Sequence, residues 1–137
     1  MVVSDAPPAL DPAMVRDFVA KAHGDLAAVN ELLDAEPAFV NAAWDWGGGD
    51  WETGLGAAAH MGRRDIAELM LDRGARLDLF SAAMLGRADI VRAITHAFPE
   101  MREALGPHGI PLIEHARAGG DEASDVLALL EGAEVSS

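Results

Sequence analysis

The chain has 137 residues, half of them hydrophobic, with 23 acidic against 10 basic residues and no cysteine. That length suits one domain with a real core, and the missing thiols exclude disulfides and thiolate chemistry. A net charge of −13 disfavours nucleic acid and anionic lipid as partners, because phosphate contacts need clustered Lys and Arg.

Residues 1–12 hold three prolines and read as a flexible N-terminal tail. They lack a basic stretch followed by an apolar run, so no signal peptide is expected. No apolar run approaches the roughly 18 residues of a membrane span, and the expected location is cytoplasmic. From Met14, Val15, Phe18, Val19 and Ala22 form one helical stripe, and Leu26, Val29, Leu32 and Leu33 form the next, with a turn at Gly24. Pro37 ends the second helix.

Residues 53–78 read TGLGAAAHMGRRDIAELMLDRGARLD. Leu55, Ala58 and Ala59 share one helical face, and Gly62 suits a left-handed helix end. Ile66, Leu69, Met70 and Arg73 then recur at helical spacing from Arg64 to Arg73, until Gly74 stops the helix. A third unit repeats the signal with Ala82, Ala83, Gly86, Ile90, Val91, Ile94 and Ala97. A fourth has Pro111, Leu112, Gly119, Val126, Leu129 and Leu130, with a small insertion after Gly120. Few aromatic residues and many alanines favour close helix packing over sheet.

The second unit closely resembles an ankyrin repeat, which reads T-P-L-H-x-A-A-x-x-G-H followed by I-V-x-x-L-L-x-x-G-A-D-V-N. Thr53, Leu55, Ala58, Ala59, Gly62, Ile66, Leu69, Leu71, Gly74 and Ala75 fall on matching positions. Gly54, Gly56 and Arg63 depart from it. The resemblance implies an all-α ankyrin-repeat solenoid of about four helix-turn-helix repeats, at about 13–41, 53–76, 77–98 and 110–135. These would make a single domain, 13–135, with one long finger loop over 42–52. Turn glycines at 24, 62, 86 and 119 are spaced 38, 24 and 33 residues, against about 33 for an ankyrin repeat. The finger therefore precedes the second repeat, and the third has none.

All three tryptophans, Trp44, Trp46 and Trp51, lie in the finger beside Asp45, Asp50 and Glu52. Tryptophan is favoured at binding hot spots, and loops on rigid scaffolds often carry function. Folding of the indoles onto the core is the competing reading. Ankyrin register places the residues just before each turn glycine on the concave groove, which puts His23, His60, Met61, Met84, Leu85, Arg117 and Ala118 on one surface. His108, in GPHG, lies where it can reach toward His60, and His115 occupies a position that is usually buried. Gly54 and Gly56 stand where proline and histidine are usual, leaving room for a packed tryptophan or a ligand at the helix start.

The expected function is a non-enzymatic module binding a protein partner. Its candidate contacts are Trp44, Asp45, Trp46, Asp50, Trp51, Glu52, His60, Met61, Met84, Leu85 and His108, with the acidic finger residues selecting a basic or polar partner. The alternative is a small-molecule-binding protein or enzyme with a pocket under the finger. Its acid–base pieces would be Asp45, Asp50, Glu52, His60 and His108. The finger glycines lack the Lys-Ser or Lys-Thr of a phosphate loop, and its carboxylates lack calcium-loop spacing. No histidine spacing is a metal signature, so neither metal nor cofactor is expected. A monomer or weak homodimer is expected.

Overall fold

The computed structural model describes residues 6–135, which form eight α-helices and one two-stranded antiparallel ribbon. The helices are α1 (Pro12–Lys21), α2 (Leu26–Ala35), α3 (Gly54–His60), α4 (Arg64–Asp72), α5 (Leu79–Met84), α6 (Ala88–Ala97), α7 (Leu112–Ala118) and α8 (Ser124–Val135). The ribbon, β1 (Ala43–Asp45) and β2 (Trp51–Thr53), lies between α2 and α3. Of the expected tail, residues 1–5 lie outside the described residues. Residues 6–11 carry no helix or strand, and Asp11 caps α1 by accepting from the Ala13 amide at 2.9 Å. No helix among the described residues is long and apolar enough to cross a membrane.

Successive helices pair across tight turns, and four of them start on a capping oxygen: Asp11 for α1, Asp25 for α2, Thr53 for α3 and Asp78 for α5. α1 packs on α3, α3 on α5 and α5 on α7, while α2 packs on α4 and α6 on α8. The apolar stripes meet in two clusters. One runs from Val15 and Phe18 through Leu55, Ile66 and Met70 to Met84. The other joins Leu79, Ala82 and Val91 to Leu112, Val126 and Leu130. Asn41 ties the end of the first pair to the end of the second. Its side-chain amide donates to the Gly74 carbonyl, and its carbonyl oxygen accepts from the Arg76 amide.

The turns after α3, α5 and α7 converge. Gly62 has φ 67°, and a Cβ there would lie 2.5 Å from the Ala118 carbonyl oxygen. Only glycine meets both demands. α3 therefore touches α7 as well as α5. Arg64 reaches the same junction, donating to the Met84 carbonyl and pairing with Glu122.

Three expectations about this region need correction. Met84, expected on an open apolar surface, is fully buried. A Cβ on Gly119 would come within 2.1 Å of the Met84 carbonyl oxygen, so the last turn closes over the end of α5. Leu85 is half-buried against the first cluster and not fully presented. The left-handed residue of the fourth turn is Gly120, at φ 65°, one place after the glycine the repeat pattern marks. The extra residues there form a short 3-10 turn, Gly120–Ala123.

His115 is buried in the second half of the molecule. Its Nδ1 donates to the Pro111 carbonyl at 3.0 Å, its ring packs on Phe80, and its Nε2 has no partner. Burial pushes its pKa below the ordinary histidine value, with the Pro111 carbonyl opposing. The unfolded chain thus takes up a proton near pH 6.5 that the folded chain refuses. The His115 contribution is complete above about pH 6.5 and declines as pH falls toward the lower folded value. Replacing His115 by Leu should remove that part of the slope. Urea unfolding of both proteins between about pH 7.5 and 5.5 measures it, with a ceiling near 1.4 kcal/mol per pH unit.

Candidate functional site

Ribbon register decides which finger residues turn inward. Trp44 pairs with Glu52, Asp45 with Trp51, and the Trp46 amide donates to the Asp50 carbonyl. Alternation along a strand puts Trp44, Trp46, Asp50 and Glu52 on one face and Trp51 on the other. At the tip, Gly47–Gly49 all have positive φ, and the Asp45 carboxylate accepts from the Gly47 and Gly49 amides at 2.9 and 3.0 Å. The glycines permit the reversal and Asp45 fixes it.

The tryptophans divide accordingly. Trp44 is half-buried against the first apolar cluster. Trp46 donates its indole N–H to Glu52 Oε1 at 2.8 Å. Trp51 is 61% exposed, as is much of Met61 at 51%. No tryptophan fills the space over the two unusual glycines. At Gly54 that space holds Phe18 and Met70, whose side chains would lie 2.8 Å from an added Cβ. Beside Gly56 stand Thr53, Pro107 and Glu52, and the Gly56 amide donates to the Thr53 hydroxyl at 3.0 Å.

Glu52 is the centre of the arrangement, with 1% of its surface exposed. His60 Nε2, from the end of α3, lies 2.9 Å from its Oε2. His23 Nε2, just beyond α1, lies 3.3 Å from Oε1, and His108 Nε2, in the loop before α7, lies 3.2 Å from the same oxygen. The His60 ring meets both others edge-on, its centre 5.0 Å from His23 and 5.2 Å from His108. Burial alone would raise the Glu52 pKa. Hydrogen bonds from His23, His60 and Trp46 outweigh it and hold the carboxyl far below the usual carboxylate range. The Glu52 hydrogen bond raises the His23 pKa in turn, against its own burial.

Two of the imidazoles are oriented from behind. His23 Nδ1 faces the carbonyls of Val19 at 3.0 Å and Ala20 at 3.2 Å. His108 Nδ1 lies 2.7 Å from Asp50 Oδ2, while the His108 amide donates to Asp50 Oδ1 at 2.7 Å. That double contact holds His108 at φ 63°, the one positive φ outside glycine among the described residues. A non-glycine residue there is strained, and such strain clusters at functional sites. The same contact, led by the His108 amide, holds the Asp50 carboxyl below its ordinary value.

Of the candidate residues, Trp46, Asp50, Glu52, His60 and His108 meet at one point, while Trp51, Met61 and Met84 do not. Each finger carboxylate accepts hydrogen bonds within the chain: Asp45 from the Gly47 and Gly49 amides, Asp50 from His108, and Glu52 from Trp46. His23 joins the cluster although it stands outside the list of candidate contacts. Its position just before a turn glycine, shared with His60 in the next unit, is the signal that points to it. The four segments bring ring nitrogens and carboxylate oxygens of His23, Glu52, His60 and His108 within 4.8 Å of one another. The expectation of no metal rested on ligand spacing along the chain, which says nothing about ligands from four segments. Chemically, the set can exchange protons with a small ligand, with Asp50 orienting His108, or donate nitrogen lone pairs to a cation. No family model, curated protein or solved structure matches the chain.

Proposed function

We propose that the chain is an ankyrin-type repeat protein that takes a small ligand at the Glu52–histidine cluster under its finger. The repeat reading is supported by the paired helices, their turn glycines, and the packing of α1, α3, α5 and α7 in succession. It carries a departure, since α3 also contacts α7. In this reading the finger covers the start of α3, and Gly54 and Gly56 let Phe18, Met70 and the loop at Pro107 close around it.

One observation carries the functional reading: Trp46 and three histidines, from four segments, converge on the buried Glu52 carboxylate. Burying an ionised group is costly, and an apolar finger base would pack as well. Such convergence fits a site for a small polar ligand or ion. The exposed Trp51 and Met61 favour the second reading, docking of a protein partner. Native mass spectrometry separates the two after the purified chain is mixed with either the small-molecule filtrate or the macromolecular fraction of a cell extract. A small non-covalent adduct on wild type and Trp51→Ala, lost in His60→Gln, is the expected result. Binding only from the macromolecular fraction, lost in Trp51→Ala, would overturn it in favour of protein docking.

A further inference from the structure

With His23 and His108 neutral, the tautomers of the cluster leave an electrostatic gap at its centre. Carbonyl oxygens only accept, so His23 Nδ1, facing Val19 and Ala20, carries a proton. His108 Nδ1, against the Asp50 carboxylate, carries one as well. In their neutral forms, both rings therefore aim an Nε2 lone pair at Glu52 Oε1, at 3.3 and 3.2 Å. A lone pair facing a buried carboxylate oxygen is repulsive unless something positive lies between them. Protonating both rings at Nε2 would place two cationic rings 6.2 Å apart, centre to centre, around one buried carboxylate. A single dication shared by the nitrogens and the carboxylate answers both lone-pair contacts at once. His60, whose Nδ1 is not tied to a carbonyl or carboxylate among the described residues, can turn an Nε2 lone pair to it as well.

The spacing fits that answer. Donors bound tetrahedrally at about 2.05 Å from a metal stand roughly 3.3 Å from one another. The nitrogen–carboxylate distances here are 2.9 Å to Oε2 and 3.2 and 3.3 Å to Oε1, and one donor atom from each residue lies within 4.8 Å of the others, so the donors would draw together around the ion. The outer contacts fit too. Metal-bound histidines characteristically donate their other ring N–H to a carbonyl or carboxylate. The Val19 and Ala20 carbonyls accept from His23, and the Asp50 carboxylate accepts from His108. Three imidazoles with one carboxylate select a zinc-class ion over magnesium or calcium, which prefer all-oxygen shells.

We propose that His23, His60 and His108, through their Nε2 atoms, and Glu52, through its carboxylate, bind one divalent transition-metal ion of the zinc class. This rests on the small-ligand reading above and names the ligand's chemistry. The ion would join the finger, α1, α3 and the loop before α7. His23 and His108 retain partial exposure, whereas the Glu52 side chain has none. The ion therefore meets solvent on its histidine side, where a water or an exchangeable ligand can enter.

The test uses the untagged full-length chain, stripped with a chelator and titrated with Zn²⁺ by calorimetry and with Co²⁺ by visible absorption. The expected result is one ion per chain, intense four- or five-coordinate Co²⁺ bands, and no competition from Mg²⁺ or Ca²⁺. Glu52→Gln and His60→Gln should weaken binding at least a hundredfold. Asp50→Asn, which removes only the support behind His108, should weaken it about 10- to 100-fold with helicity unchanged. Because Glu52 is buried and His60 mostly enclosed, His108→Gln on the partly exposed loop provides the variant least dependent on folding. Absence of saturable Zn²⁺ binding, a Co²⁺ spectrum like that of the aquo ion, or affinity unchanged in His108→Gln would each overturn the metal site. An organic adduct lost in His60→Gln, with no metal bound, would leave the small-ligand reading standing while removing the ion.

Discussion

Replacing Glu52 by Ala in chelator-treated protein is expected to cost about 3–5 kcal/mol of folding stability, the range for stripping one partner from a buried charged network. The Glu52 side chain is fully enclosed and takes contacts from His60, His23, His108 and the Trp46 indole. Its loss leaves the Trp46 N–H without its acceptor and three imidazoles facing a hole. Glu52→Gln keeps the volume and one oxygen for Trp46, so its cost should be smaller, about 1–3 kcal/mol. Urea unfolding followed by circular dichroism distinguishes them. Equal, small losses in both variants would mean that water replaces the carboxylate freely and that the cluster is an open surface.

The second large effect belongs to a turn. Gly62→Ala is expected to destabilise by about 2–5 kcal/mol, the sum of a left-handed residue and an overpacked contact. A Cβ at this position would sit 2.5 Å from the Ala118 carbonyl oxygen, and backbone cannot swing away as a side chain does. Gly74 provides the control. Its φ is 96°, but an added Cβ meets nothing within 4 Å. Gly74→Ala should therefore show only the conformational part, about 1–2 kcal/mol. If the two substitutions cost the same in urea, the close approach of the turns contributes nothing.

Helices and turns were legible in the sequence because they depend on neighbours a few residues away. Spacing of Val15, Phe18 and Val19, or of Ile66 and Met70, states a buried face directly, and those residues are buried. Met84 shows where this fails. The repeat register turns it outward, but a turn 35 residues later lies against its carbonyl, and no local pattern encodes that approach. Gly54 and Gly56 were recognisable as anomalies, whereas their occupants, Phe18, Met70 and Pro107, come from distant segments. The site followed the same rule. His60 and His108 could be placed near each other from repeat geometry, and Glu52 was recognisable as a finger carboxylate. That it is buried at the centre of three rings depends on ribbon register and on the Asp50–His108 contact, which joins residues 58 positions apart.

The convergence of turns bears on how the molecule comes apart. A chain of units that touch only their neighbours can fray from its ends, each unit opening at its own free energy. Here α7 leans on both α3 and α5, and Arg64 binds the ends of two later turns. Opening the last pair would strip contacts from the middle of the chain as well. The amides of α3 and α7 are thus coupled to a shared opening event, and partial unfolding from the C-terminal side brings little relief before the whole structure yields.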